Sequence, residues 1–197
     1  MAGIGLFAAL AIVLNLTHIQ VAAPFAPFLM YEFWEIPTVV CLLIFGLYAA
    51  LTASVINTIV LLFVNPGAAA FGPIYNLIAV VVTLLAIVAA NRLSSLSKLS
   101  FSAQVILATG LGVVVRTAVM TVVNYALLPY PPPLGLHMPV GGIGGVLSIL
   151  PLIGIFNATL ALYTVPIGYL GAKGVVKRVR FKVAYSLEPY PSSKVDD

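Results

Sequence analysis

The residues able to do chemistry in this chain are few, and most are amides set inside apolar runs. Arg116 stands in the middle of an otherwise uncharged stretch, Val105 to Leu128, that is long enough to cross a bilayer and holds no acidic residue. A charge at the bilayer centre costs about 2.5–3.5 kcal/mol on insertion scales, so it is kept where it meets a partner or a cavity. Asn124 follows two helical turns later, with Met120 between them. At 3.6 residues per turn the three share one face, which is expected to look into protein or water. Asn57, Asn76 and Asn157 also lie within apolar runs. A lone amide in a helix bundle is often interhelical glue worth about 0.6 kcal/mol, whereas several converging amides make a ligand site. Asn76, Asn124 and Asn157 have the depth to converge, with Arg116 deeper as structural support.

Other chemistries lack their residues. His18 and His137 have no neighbouring ligands, and Cys41 is alone in an apolar run, which excludes a disulfide within the chain. Ser54 and Ser148 carry no pattern that marks a base partner. The run Gly141-Gly142-Ile143-Gly144-Gly145 has no following Lys-Ser/Thr, so it is read as a flexible entry to a helix and not as a phosphate loop. Glu32 and Glu35 could share a helical face but are read as an acidic, topology-setting loop. No metal or cofactor is expected. Gly5 and Ala9 form a small-xxx-small stripe that lets another helix approach, either within the bundle or from a partner.

The elements that position these groups follow from composition. With 62% hydrophobic and 7% charged residues and a mean hydropathy of +1.16, the chain reads as an all-α integral membrane protein. Breakers divide it into spans of about Ala2–His18, Ile36–Phe45, Tyr48–Val64, Pro73–Leu93, Ser102–Leu128 and Ile143–Leu170. The first lacks the basic flank of a secretory signal and is expected to be retained. The second is too short to cross about 30 Å of hydrocarbon alone. Pro151 and Pro166 fall inside the last, where neighbouring helices can satisfy the freed carbonyls.

Arg92 and Lys98 lie between the fourth and fifth spans, and Lys173, Lys177, Arg178, Arg180 and Lys182 follow the sixth. Loops 65–72 and 129–142 carry no Lys or Arg. Six transmembrane helices with both termini cytoplasmic put every basic cluster inside, at the lipid surface of the cell membrane. No soluble domain is left to carry a nucleic-acid patch. Residues 1–175 then form the membrane domain and 176–197 a basic, then polar, cytoplasmic tail. Loop 19–35, with Phe25, Phe28, Tyr31, Phe33 and Trp34, and the proline-rich loop 129–142 are either an interfacial aromatic belt with ordinary breakers or lids over an outward pocket.

Pro24-Phe25-Ala26-Pro27-Phe28-Leu29, Phe33-Trp34-Glu35-Ile36-Pro37, Gly72-Pro73-Ile74-Tyr75-Asn76, the run from Arg116 to Pro129 and Pro151 to Asn157 together resemble a known family. In order and spacing they are similar to the substrate-binding (S) subunits of energy-coupling factor (ECF) vitamin transporters, most of all the riboflavin-specific branch. The resemblance implies a six-helix membrane protein that captures a vitamin outside and works with a transmembrane coupling subunit and two ATPases. It implies that Asn124 and Asn157 hydrogen-bond the ligand, with Asn76 and Met120 beside them, and that Phe28 and Leu29 cover it. Gly5 and Ala9 would face the coupling subunit. Riboflavin would be transported cargo, not a cofactor. In that branch the Phe-Asn pair is commonly preceded by proline and followed three residues later by lysine; Ile155 and Leu160 stand there in this chain. Another vitamin or precursor of similar size is therefore an alternative ligand. An intramembrane enzyme acting on a lipid, or a purely structural subunit, are the alternatives of other classes.

Overall fold

The computed structural model describes residues 2–17, 19–64, 72–131, 135, 143–178 and 184–185. His18, His137, Gly141, Gly142, Arg180, Lys182 and most of the loops 65–72 and 129–142 lie outside them. Six helices follow one another: α1 (Ala2–Leu16), α2 (Glu35–Phe45), α3 (Leu47–Val64), α4 (Gly72–Leu96), α5 (Phe101–Leu127) and α6 (Ile143–Arg178). Between α1 and α2 the chain forms an antiparallel hairpin of β1 (Gln20–Ala23) and β2 (Ala26–Glu32). The helical reading thus needs one amendment, because segment 19–35 is largely strand. It is rich in aromatics, which favour strands, but Pro24 and Pro27 punctuate it, so local propensity gives a mixed sign of pairing.

α3, α4, α5 and α6 are long and apolar enough to cross a bilayer, which marks a membrane protein; α1 and α2 are shorter. At about 1.5 Å per residue, α2 reaches roughly 16 Å. It is instead a buried element, with all its residues but Ile36 and Phe45 inside the protein. Pro37 falls in its first turn, where no intrahelical N–H bond is lost. Gly46 ends it with φ 91°, a conformation costly for any residue with a Cβ, and its N–H bonds to the Leu42 carbonyl at 2.8 Å. α3 starts on the next residue. The break expected between Phe45 and Tyr48 is therefore a one-residue joint.

α2 packs against α1, α3 and α6. Its residues Val39 to Ile44 join Ala11, Ala50, Leu84, Ile87, Val165, Tyr169 and Ala172 in one dry core. The approach of α6 depends on Gly168, where an added Cβ would lie 2.4 Å from Val39 Cγ1. α5 is capped by Ser100, whose hydroxyl accepts from the Ala103 N–H at 3.4 Å. α6 runs eight residues past the expected Leu170, through both prolines, taking in the start of the basic tail. Beyond it, Ala184 donates its N–H to the Ile44 carbonyl at 3.0 Å, which folds this part of the tail against the end of α2.

Candidate functional site

The 3.6-residue period of α5 places Arg116, Met120 and Asn124 along one buried line. They form one wall of a cavity of about 400 Å³. α6 supplies the facing wall through Ile153, Phe156 and Asn157, and the first turns of α4 add Gly72, Tyr75, Asn76 and Ala79. The hairpin closes it with Gln20, Phe28, Leu29, Met30 and Glu32, while Leu128 and Gly135 come from the far end of α5 and the segment after it. Leu29 also packs on Leu128, Val146 and Ile153, so the cover is seated by apolar contact.

The floor is ionic. Arg116 is 1% exposed, and its Nη1 and Nη2 donate to the two carboxylate oxygens of Glu35 at 2.5 and 2.8 Å. Its Nε donates to Asn157 Oδ1 at 3.1 Å. Arg116 therefore has an acidic partner, which corrects the reading of Glu35 as a topology-setting loop residue. Glu35 is the first residue of α2 and is 4% exposed. Sequence distance hid the pair, since 81 positions separate the two. A forked pair of this kind satisfies both ions where neither can reach water.

The amides are oriented by their own helices. Asn124 Nδ2 donates to the Met120 carbonyl at 2.7 Å and Asn157 Nδ2 to the Ile153 carbonyl at 2.9 Å. Swapping either amide would set oxygen against oxygen, so each assignment is fixed by its partner. Asn124 keeps Oδ1 as an acceptor, and Asn157 keeps one N–H and one lone pair. Asn76 has no side-chain hydrogen bond among the described residues and is half-buried. Such amides present both donors and acceptors to whatever fills the space.

The hairpin is tied down along α6. Tyr31 shares a 2.6 Å hydrogen bond with Thr159 Oγ1 and lies 5.0 Å, ring to ring, from Phe156. Tyr163 donates to the Glu32 carbonyl at 2.7 Å, and its ring meets Tyr31 and Phe33 at 6.1 and 6.0 Å. Trp34, fully buried, donates Nε1 to Glu32 Oε2 at 2.8 Å. Cover and floor are thus continuous in sequence: Glu32 lines the cavity, Trp34 anchors the turn, and Glu35 holds Arg116.

All six residues expected to bind a ligand, Phe28, Leu29, Asn76, Met120, Asn124 and Asn157, line this one cavity, and Arg116 lies beneath it. Gly5 and Ala9 are elsewhere, on an exposed face of α1, and a Cβ added at Gly5 would meet nothing within 4 Å. Leu160, at the position of the expected lysine, is buried and not part of the wall, and Ile155 is exposed. The sequence reading missed Tyr75, Ile153 and Phe156, although they sit next to Asn76 or within one turn of Asn157. Extending helical spacing from those amides finds them. Gln20 and Glu32 carry no such signal, because only the strand pairing of Gln20 with Glu32 brings them together.

A solved structure, that of the S component of a bacterial ECF transporter, matches 90% of this chain and 95% of its own with a TM-score of 0.66 and 19% sequence identity. The two share a fold. No protein-family model matches the sequence. No curated protein matches it either.

Proposed function

We propose that this chain is the substrate-capture subunit of an ECF-type transporter, holding a vitamin-sized molecule for uptake driven by partner ATPases. The observation that carries the reading is the covered cavity of about 400 Å³, into which four elements bring Asn76, Asn124, Asn157, Met120, Phe28 and Leu29. Ligand sites of this kind combine apolar walls with a few placed polar groups. The shared fold supports the transporter class. In this reading the chain crosses the cell membrane six times with both termini cytoplasmic and the hairpin outside. Lys173 supports that placement, since its Nζ lies 4.2 Å from the ring centroid of Phe101, the first residue of α5, and so sets the basic end of α6 near the α4–α5 connection, with Arg92 in the last turns of α4 and Lys98 in the turn itself. The exposed Gly5 and Ala9 face of α1 would meet a transmembrane coupling subunit.

Riboflavin is the first ligand to test. The departure at Leu160 bears on it less than the sequence suggests, because that side chain is packed in the bundle. Mass spectrometry of the purified protein should find a retained small molecule, and titration should quench flavin fluorescence. Asn124→Ala should weaken that binding about tenfold, as expected for a hydrogen bond lost to a ligand. Failure of riboflavin alone, with another vitamin retained, would move the ligand but keep the class. Failure to bind any vitamin would overturn the capture reading and favour a structural subunit.

A further inference from the structure

The positive charge of Arg116 is paired before any ligand arrives. A guanidinium has five N–H donors. Three are committed here, two to Glu35 and one to Asn157. The remaining two sit on nitrogens that already face the Glu35 carboxylate. Arg116 is the one cation on the described wall, and it is neutralised by a residue outside that wall. The other charged residue of the described wall is Glu32, whose carboxylate accepts from Trp34 Nε1. Among the described residues, an anionic ligand would therefore meet no cation that is not already paired. Its desolvation would go unrepaid, since burying a charge is costly unless it is paired. The groups with spare capacity are neutral amides, which suit carbonyl, amide and hydroxyl functions.

We infer that the site selects uncharged polar ligands against their carboxylate or phosphate counterparts, and that Glu35 is the residue that sets this selection by occupying Arg116. The inference rests on the capture reading and narrows its ligand class. Glu35 acts through Arg116 and is a positioning residue for ligand choice. Removing its charge would leave the guanidinium free to pair with an anion.

The test uses the full-length purified protein and matched probes: riboflavin with riboflavin 5′-phosphate, nicotinamide with nicotinate, and pantothenol with pantothenate. Binding is read by calorimetry. In whichever pair binds, the neutral member should be held at least about tenfold more tightly, equivalent to about 1.4 kcal/mol. Equal or tighter binding of the anion would overturn the inference while leaving the capture reading in place. Silence of all six probes, with no small molecule retained by the purified protein, would overturn both. Glu35→Gln should shift the neutral-to-anion ratio about tenfold toward the anion, a change that loss of stability alone does not produce. An unchanged ratio in a folded E35Q would overturn the role of Glu35. The wild-type comparison stands whether or not that variant folds.

Discussion

Asn57 and Asn124 are both buried amides on apolar helices, yet they meet different surroundings. Asn57 of α3 faces α1, where Asn15 donates to its Oδ1 at 3.1 Å across the seam. Asn124 of α5 turns its own amide onto its own backbone and keeps its oxygen for the cavity. A similar contrast holds for Asn91, whose Oδ1 takes donors from Gln104 and Tyr169 at the opposite end of the bundle. Where two helices touch, the amide oxygen is taken by interhelical donors, and the Nδ2 of Asn57 and of Asn91 is shut in the packing with no partner among the described residues. Where a hairpin roofs the gap instead, the amide's spare capacity opens onto a cavity. The hairpin's seven-residue second strand does not fill the space, and the Glu35–Arg116 pair keeps its floor open.

The largest effect should come from breaking that floor. Replacing Arg116 by Leu leaves the buried Glu35 carboxylate unpaired, and Glu35→Leu leaves the guanidinium so. Removing one partner of a buried pair costs about 3–5 kcal/mol. Either single change should lower the unfolding midpoint in detergent sharply, and the double change E35L with R116L should recover much of the loss. A single variant as stable as wild type would mean that the pair does not brace the cavity.

On the dry side, Gly168 offers the matching break. A side chain there must displace Val39, so Gly168→Leu should cost about 1–3 kcal/mol by overpacking, with partial rescue from Val39→Ala. Ligand affinity in the surviving folded fraction should be nearly unchanged, because neither residue lines the cavity. Binding lost in step with packing would show that the two sides are not separable.

The wall of the cavity was more legible in sequence than its floor. Arg116, Met120 and Asn124 are linked by helical spacing, which any apolar span reveals. Boundaries such as Gly46 and Ser100 are written in local backbone chemistry. Glu35 could not be found that way, since its role depends on an ion pair across 81 positions. Read alone, a carboxylate beside Trp34 and Pro37 looks like an interfacial loop. The hairpin escaped for a related reason, because Pro24 and Pro27 mask the strand preference of its aromatics and the contacts that seat Tyr31 and Leu29 come from distant helices. The small stripe at Gly5 was visible, but its exposure on α1 was not.

Asn124→Ala and Asn57→Ala compare the two uses of an amide directly. The first should weaken binding about tenfold while shifting stability little. The second should leave binding intact and cost about 0.6 kcal/mol, up to 1.7, the measured span for interhelical hydrogen bonds in membranes. Thermal unfolding paired with ligand titration separates them. Reversed outcomes would invert the assignment of glue and site.

The smallest effect concerns how the roof is held. Thr159 Oγ1 also lies 2.9 Å from the carbonyls of Ile155 and Phe156, so its single proton is committed to its own helix and Tyr31 is the donor between them. Tyr31→Phe removes that proton and leaves only a hydroxyl lone pair unmatched, while the ring keeps its place against Phe156. The cost should be about 0.5–1 kcal/mol, and it should fall on the roof and not on the global fold. Tyr163→Phe removes the hydroxyl donor to the Glu32 carbonyl and should cost a similar amount. Hydrogen exchange at hairpin amides 20–32 should rise in both variants, and ligand release should quicken with it. The double variant should approach the sum if each tyrosine holds its own point of the strand. Unchanged exchange in both would show that the apolar seat of Leu29, and not the tyrosine hydroxyls, keeps the cavity covered.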